Sequence, residues 1–316
     1  MSDNELNLFL KVRKYSRLAV GAAIALSFIF AKLIESSDIT WQVVVALLAL
    51  AIGIPHGALD HLVTLPKSAP IKMAGFVAIY VAIAGLAVLA LLTWSVAGFI
   101  GVVAMSAVHF GIGDAAFVSE INRRKIDHRP FPRYLYAGAA GSIPVIIPLV
   151  SQKSTAALER VNPELVNWHH GLNNDLLLWT ILLTAIALLS LLKKHRDSEA
   201  IDLGLLLLLA LTAPPLVAFA VYFGCWHAMR HTARLTLELP RSQKAYSDGN
   251  SWKAFVSAIW PGVPALIGTF IVVGLVVAFR GGSVSDQFLW ITLVIVWALT
   301  VPHMAVTARL DRKALN

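Results

Sequence analysis

Charged residues are scarce in this chain of 316 residues, since Asp, Glu, Lys and Arg together make up 14% of it, where a soluble domain carries about a quarter. Cysteine is nearly absent, and the single Cys225 excludes an intrachain disulfide and a metal cluster built on several thiolates. The polar, basic N-terminus leads into an apolar stretch without a small-residue cleavage site, so no cleavable signal peptide is predicted. Hydrophobic residues are abundant instead, at 58% with a mean hydropathy of +0.73, which predicts a chain that lies mostly in lipid.

Basic residues outnumber acidic ones, 26 against 18, which gives a formal net charge of +8. They lie in short links between apolar segments, where they act as topology signals rather than as a stripe on a folded surface. We therefore expect no nucleic-acid partner. With the N-terminus inside, the basic residues around 123–133, 193–196, 234–253 and 309–313 all fall on the inner side. This predicts a multi-pass protein of the cell (inner) membrane with both termini cytoplasmic.

Apolar stretches of transmembrane length follow one another along most of the chain. A window of about 19 residues predicts spans over 18–34, 43–62, 74–92, 95–112, 135–150, 176–192, 201–212, 216–232, 254–279 and 288–307. The double proline Pro214-Pro215 either separates two short spans or kinks one long span, because proline removes a backbone donor and disfavours helix before it. The predicted fold class is all-α, a polytopic integral membrane helical bundle of nine or ten transmembrane helices. One membrane domain is expected over 1–316, with a basic N-terminus over 1–17, helices over 18–307 and a cytoplasmic tail over 308–316.

Histidines lie inside or at the ends of these apolar stretches, in four short motifs. The motifs are Gly53-Ile-Pro-His56-Gly-Ala-Leu-Asp60-His61, His109-Phe-Gly-Ile-Gly-Asp114, Cys225-Trp-His227-Ala-Met-Arg-His231 and Pro302-His303-Met304. Because an ionisable residue at membrane depth is costly, a set of such residues indicates a functional site. His227 and His231 are four apart in a predicted helix, so their Cβ atoms lie about 5–6 Å apart on one face, which suits a two-imidazole metal clamp. The alternative is two buried histidines satisfied by hydrogen bonds alone.

The other histidines are less decisive when each is considered alone. His56 lies between a proline and a glycine, where a helix is interrupted, and Asp60 one turn later could orient a ligand or coordinate directly. His109 ends an apolar run, with Asp114 further along the same segment. Either histidine could equally be an interfacial residue at a kink or a helix end. For His303, a packing or orienting role is favoured over direct ligation.

Considered together, histidines at four separate span positions, with almost no other titratable residue in the spans, predict a buried metal centre. Four neutral imidazoles suit iron, copper or zinc, and open positions on the ion could bind dioxygen or water. A transporter for metal ions or protons would also place His and Asp in its spans. A haem-binding electron-transfer protein would use paired axial histidines instead. Composition and spacing choose neither the metal nor the substrate.

The sequence resembles the bacteriorhodopsin-related-protein (Brp/Blh) family, membrane β-carotene 15,15′-dioxygenases that split β-carotene into two molecules of retinal. The resemblance runs from about residue 41 to about residue 306. It rests on a set of motifs: Gly53-Ile-Pro-His56-Gly-Ala-Leu-Asp60, Val108-His109-Phe110-Gly111 with Asp114, Ala213-Pro-Pro-Leu-Val217 leading through Tyr222-Phe223 to His227 and Arg230-His231, and Val301-Pro-His303-Met304.

The resemblance implies oxidative cleavage of the central double bond of β-carotene by O2 at a non-haem Fe(II) ion, giving two molecules of all-trans-retinal. The iron ligands that it implies are His56, His109, His227 and His231. Residues expected to support them are Asp60, Asp114 and His303, while His61 lies outside the family motif and is treated as accessory. The partners implied are β-carotene and O2 as substrates, the lipid bilayer, and a rhodopsin that receives the retinal. A relative of this kind could instead act on another carotenoid, or assist rhodopsin assembly without catalysis.

Aromatic residues near the expected ligands are predicted to line a substrate tunnel that places the central double bond over the iron. These residues are Phe110, Tyr222, Phe223 and Trp226. Ordinary core packing or a lipid-facing position is the alternative for each of them.

Overall fold

The structure, a computed structural model, describes residues 2–33, 40–64, 70–280 and 284–316, with backbone alone at residues 2, 31–32, 61, 280 and 284–287. Within these ranges every regular element is a helix and there is no strand, which confirms the predicted all-α class. The α-helices are α1 Ser2–Leu33, α2 Thr40–Gly57, α3 Asp60–Thr64, α4 Pro70–Thr93, α5 Ser95–Lys125, α6 Arg133–Val150, α7 Ser154–Val161, α8 Asn173–Lys193, α9 Asp197–Thr212, α10 Pro215–Val221, α11 Met229–Leu235, α12 Pro240–Ser247, α13 Ser251–Ile259, α14 Val263–Arg280 and α15 Val284–Leu315.

Seven helical stretches in the described ranges are long and apolar enough to cross a membrane, rather than the nine or ten that the sequence predicts. They are Thr40–Thr64, Pro70–Thr93, Ser95–Lys125, Arg133–Val150, Asn173–Lys193, Ser251–Phe279 and Phe288–Leu315. The protein is thus a polytopic helical membrane protein. The predicted spans 18–34, 201–212 and 216–232 are not in this set.

Two of these differences have a direct structural reason. Helix α9 has 16 residues and is therefore about 24 Å long, which is short of the roughly 20 residues that a spanning helix needs. Residues 216–232 lie in one helical run made of α10, the π-helix Tyr222–Ala228 and α11, each seven residues long, so no single α-helix of spanning length covers them. Pro214 precedes α10 and Pro215 begins it, and the extended Ala213 separates this helix from α9.

Helix α1 differs from the prediction in where it begins. It begins at Ser2, so the basic lead expected as a separate cytoplasmic segment is helical and continuous with the apolar residues that follow. Residue 34, the predicted end of this span, lies outside the described residues. Arg13 is buried, and its guanidinium lies 3.0 Å from Glu199 and 2.8 Å from Asp202 on α9. These contacts attach the N-terminal half of α1 to the bundle.

The centre of the bundle is formed by α5, α6 and α15. Helix α6 contacts α5, α8 and α9, while α15 contacts α4, α5 and α14. Of the membrane-spanning stretches, those on α6 and α15 are the most enclosed and α4 is the least. Gly111 on α5 faces the backbone of Ala137, and Gly141 on α6 faces the backbone of Ala107, so closely that a Cβ at either position would overlap a carbonyl oxygen. Only small residues permit this approach, which fixes the segment of α5 that carries His109.

Candidate metal centre

Five histidines from separate parts of the chain meet inside the bundle. They are His56 on α2, His109 on α5, His227 in the π-helix, His231 on α11 and His303 on α15. Each is between 3% and 6% exposed. The structure therefore brings together the four histidines expected as ligands and adds a fifth that was expected only to support them. The side chain of His61 lies outside the described residues.

Four of the five imidazole rings form a closed circuit. Around this circuit the centroids are 5.4 Å apart from His56 to His303, 5.2 Å from His303 to His109, 5.0 Å from His109 to His227, and 5.3 Å from His227 back to His56. The ring of His231 lies to one side of it. Its centroid is 5.2 Å from that of His56, 5.3 Å from His303, 6.0 Å from His227 and 6.5 Å from His109.

These spacings fit rings that share one ion. Imidazoles bound to a transition metal at about 2.1 Å have ring centroids roughly 4.5 to 6.5 Å apart, depending on the angle between the bonds. In the described part of the chain, no group of three or more His, Cys, Asp or Glu side chains already stands in a ligating arrangement. The rings are thus spaced as the ligands of one ion would be, without a preformed set of ligating atoms among the described residues.

Unpartnered nitrogen atoms give an independent indication of a ligand. Nε2 of His227, His231 and His303 are all buried, and none has a hydrogen-bond partner among the described residues. A buried polar atom without a partner costs about 1–3 kcal/mol, and such atoms in a native protein call for a specific explanation. Three of them lie in one cluster of neighbouring rings, and unprotonated ring nitrogens of this kind are the donors that a transition-metal ion would use.

His56 is oriented by its own helix. Its Nδ1 donates to the carbonyl oxygen of Gly53, and because a carbonyl only accepts, the proton of this ring is on Nδ1. Nε2 then carries the lone pair that a metal requires. The kink predicted at Pro55 does not end the helix, since α2 continues to Gly57.

The π-helix supplies His227. Segments of this kind are rare, occur as single turns inside α-helices, and are frequent at functional sites. The segment Tyr222–Ala228 also carries Phe223, whose ring is 5.8 Å from that of His56. The rings of His227 and His231 are stacked with an interplanar angle of 20°, side by side as their spacing of four residues predicts.

Asp60 contacts a histidine other than the one that its sequence position suggests. The sequence places it one turn after His56, but both of its carboxylate oxygens lie 2.9 Å from Nδ1 of His303, 243 residues away. Tyr80 on α4, which the sequence analysis did not single out, donates its hydroxyl hydrogen to Oδ2 of Asp60 at 2.9 Å. No sequence motif identifies Tyr80, because its role depends on the packing of α4 against α15.

Asp114 lies in a different environment. It accepts hydrogen bonds from Arg230 at 2.7 Å, from the hydroxyl of Tyr136 at 2.8 Å and from the indole of Trp226 at 3.2 Å. The guanidinium of Arg230 also lies 3.5 Å from the centre of the Trp226 ring and 3.5 Å from Asp202. None of these contacts involves a histidine of the cluster, so Asp114 supports α11 rather than an imidazole.

A cavity of about 330 Å³ leads to the histidines. Four of the five histidines line it, and His231 does not. Its other walls are mostly apolar and come from α2, α3, α4, α5, α14, α15 and the π-helix, with Asp60, Tyr80, Thr269 and Thr300 as the polar residues. Val77 and Val81 on α4 line the cavity and are also 45% and 61% exposed on the outer surface. The cavity therefore approaches the lipid-facing side of the bundle at α4.

The aromatic residues predicted for a tunnel divide into two pairs. Phe110 and Phe223 line the cavity. Tyr222 and Trp226 are not among its lining residues and are fully buried. Tyr222 lies behind Phe110, with ring centroids 5.2 Å apart, and Trp226 belongs to the contacts of Asp114 described above.

A second, smaller cavity of about 80 Å³ lies on the far side of an aromatic wall. It is lined by apolar residues of α2, α5, α6, α7, α10 and α15 together with Ser106 and Ser154. Phe219 lines it, and the ring of Phe219 stacks on that of Phe223 at 6.0 Å and lies 6.5 Å from Phe110. Three phenylalanine rings thus separate the two cavities.

Comparison with known proteins agrees with the motif resemblance. The model of the β-carotene 15,15′-dioxygenase family matches residues 47–311 of this chain. The chain is also 28% identical to a β-carotene 15,15′-dioxygenase from an uncultured marine bacterium (66A03). The aligned region of 269 residues covers 81% of this chain and 89% of that protein. No solved structure matches the chain significantly.

Proposed function

The chain belongs to the β-carotene 15,15′-dioxygenase family, and we propose that it cleaves the central double bond of β-carotene with O2, using an iron(II) ion held by its buried histidines. The product is two molecules of all-trans-retinal. The observation that carries the metal part of this proposal is the set of three buried Nε2 atoms without a partner. Family membership favours this enzyme activity over the transporter and haem-protein alternatives.

The metal-holding residues proposed on the basis of the resemblance are His56, His109, His227 and His231. Their rings are neutral donors in an apolar interior, a set that suits a divalent transition metal. When bound, iron(II) supplies the activation of dioxygen. The chain itself keeps the site dry, because all four imidazoles are at most 6% exposed, and it fixes their directions through the π-helix and α2.

The apolar cavity is suited to admit a hydrocarbon directly from the bilayer. A carotenoid dissolves in lipid rather than in water, and the cavity wall at Val77 and Val81 faces the same apolar surroundings. Phe110 and Phe223 line the same cavity, and their ring centroids lie 4.5 Å and 6.3 Å from that of the His227 imidazole. These two rings would hold a conjugated chain against the histidines by stacking and edge contacts.

Central cleavage places a further demand on the shape of the site. A symmetric C40 substrate must extend about equally on both sides of the cleaved bond, whereas the first cavity is at the low end of the roughly 300–1,000 Å³ typical of ligand sites. The second cavity, of about 80 Å³, lies beyond Phe219 and would have to widen to take the other half of the polyene. We therefore assign the wall of Phe110, Phe219 and Phe223 as the point through which the chain of the substrate passes.

The experiment that tests the activity is carried out in a β-carotene-producing bacterial host. Retinal and β-carotene are measured by chromatography after expression of the native chain, His227→Ala and His56→Ala at equal protein levels, with the exposed His128→Ala as the matched control. We expect retinal to form only with the native chain and the control. Unchanged β-carotene with folded native protein would reject this substrate.

The cellular setting follows from the same proposal. We place the protein in the cell (inner) membrane with both termini cytoplasmic, supported by the basic links noted above, and the retinal passes to a rhodopsin. Reporter fusions at the two termini test the orientation, and opposite locations for the two reporters would contradict it.

A further inference from the structure

We infer that His303 is a fifth imidazole ligand of the same metal, held in position by Asp60 and Tyr80. The inference rests on the proposed function, because it extends the ligand set of that site beyond the four histidines implied by the family resemblance. It also revises the expectation from sequence, which favoured an orienting role for His303.

The hydrogen bonds of His303 determine which of its nitrogens is available. Nδ1 lies 2.9 Å from both oxygens of Asp60, and a carboxylate accepts rather than donates, so the proton is on Nδ1. Nε2 then carries the lone pair. This Nε2 is buried, and no described residue partners it. A histidine that only supported a ligand would use this atom for a hydrogen bond to that ligand.

The position of the ring matches that of the other four. Its centroid is 5.4 Å from His56, 5.2 Å from His109 and 5.3 Å from His231, distances within the range found among the other rings. His303 also lines the cavity, which His231 does not. By its position, His303 is at least as well placed as His231 to bind a shared ion.

The surroundings of Asp60 also support the role of His303 as a metal ligand. Metal-bound histidines usually donate their second N–H to a carboxylate, which fixes the ring and raises its basicity. Asp60 is 2% exposed, and it is anchored by the hydroxyl of Tyr80, which is also 3.3 Å from the carbonyl oxygen of Leu299, one turn before His303 on α15. A buried carboxylate beside an imidazole also offsets part of the charge of a divalent ion.

The test uses cobalt(II) as a spectroscopic probe in the purified full chain in detergent. Cobalt affinity is measured by chelator competition, and the visible absorption spectrum reports the number and type of ligands. The variants are His303→Ala, His303→Gln, which keeps a donor to Asp60, Asp60→Asn and Tyr80→Phe. The exposed His128→Ala is the matched control.

We expect His303→Ala and His303→Gln to weaken cobalt binding by at least 100-fold and to change the visible spectrum. Free imidazole added to His303→Ala should restore the native spectrum. Asp60→Asn should weaken binding roughly 10- to 100-fold, Tyr80→Phe should weaken it less, and the control should equal the native chain. A purely structural role for His303 would give no imidazole rescue.

The possible failures are distinguishable. If the native chain binds cobalt and both His303 variants bind it with native affinity and spectrum, this inference is overturned while the proposed function stands. If the native chain binds no cobalt, the metal site of the proposed function is overturned and the inference with it. Because cobalt binding is measured without substrate, neither outcome depends on carotenoid cleavage.

Discussion

Two buried polar clusters lie next to each other in this protein. Two consecutive residues of α11, Arg230 and His231, belong to different clusters. Arg230 belongs to an ion network, defined as Arg13, Arg17, Asp114, Glu199, Asp202 and Arg230, in which each charged group has a partner of opposite charge within 3.5 Å. His231 belongs to the histidine cluster, defined as His56, His109, His227, His231 and His303. In that cluster three ring nitrogens have no partner among the described residues.

The difference teaches how to tell structural from functional polar groups in a membrane protein. Ionisable residues in spans mark functional sites by default, and that rule selects both clusters equally. What separates them is whether the buried polar atoms are satisfied. The paired network joins α1, α5, α9 and α11, whereas three buried ring nitrogens of the histidine cluster have no partner among the described residues.

The two clusters are also mechanically connected. Arg230 is held by Asp114 on α5 and Asp202 on α9, and its guanidinium lies against the ring of Trp226 in the π-helix. These contacts fix the rotation of α11 about its axis. Because His227 and His231 project from the same helical run, the network sets the direction in which their rings point.

The largest expected effect is on catalysis, through His227→Ala. Loss of a metal ligand should reduce retinal formation by more than about 100-fold, because even residues that only orient ligands contribute 10- to 100-fold. The unfolding temperature of the metal-free protein should stay at or above the native value, since an unpartnered buried group is removed. Retinal formation and detergent-phase thermal unfolding are measured on the same sample. Activity within tenfold of native would remove His227 from the site.

The next largest effect is expected on stability, through Asp202→Asn in the ion network. Breaking a buried pair on one side leaves uncompensated charge, which costs about 3–5 kcal/mol, and Asp202 faces three arginines. Unfolding in detergent by denaturant titration measures the change. Asp248→Asn, at an exposed site, is the control. If the loss of stability equals that of the control, the network does not have the structural role assigned to it.

A smaller effect is expected at the wall between the two cavities. Phe219→Trp narrows the second cavity, so cleavage of β-carotene should fall roughly tenfold, while a shortened apocarotenoid should be cleaved at the native rate. The lipid-facing Leu208→Trp, at a residue that is 45% exposed, controls for the added bulk. Equal losses on both substrates would show that the second cavity does not receive half of the substrate.

The smallest effect is expected at a surface ion pair. Lys313 lies 2.7 Å from Glu238, a distance like those in the buried network, but the two side chains are 67% and 28% exposed. Glu238→Gln should therefore lower the free energy of unfolding by less than about 1 kcal/mol. The same denaturant titration measures this change. A loss of unfolding free energy as large as that of Asp202→Asn would mean that burial does not explain why the buried network stabilises the protein more than the surface pair.

Sequence reasoning predicted the helical membrane class and the family, both of which are confirmed. It predicted more spans than the seven found in the described residues, because a hydropathy window does not see that α9 is short or that 216–232 contains a π-helix. It also grouped Asp60 with His56 and Asp114 with His109 by proximity along the chain. The structure pairs these carboxylates with His303 and Arg230 instead.

The amino-acid sequence alone determined that several imidazoles lie in apolar segments, where ionisable residues are costly and mark a functional site, because their number and spacing are visible in the chain. Only the tertiary structure decided which buried polar atoms have a hydrogen-bond partner. Hydrogen bonds such as that between Asp60 and His303 join residues 243 positions apart, and their partners are chosen by how α2, α4 and α15 pack. For that reason His303 is distinguishable from an ordinary buried histidine only in three dimensions, where its Nε2 is seen to lack a partner.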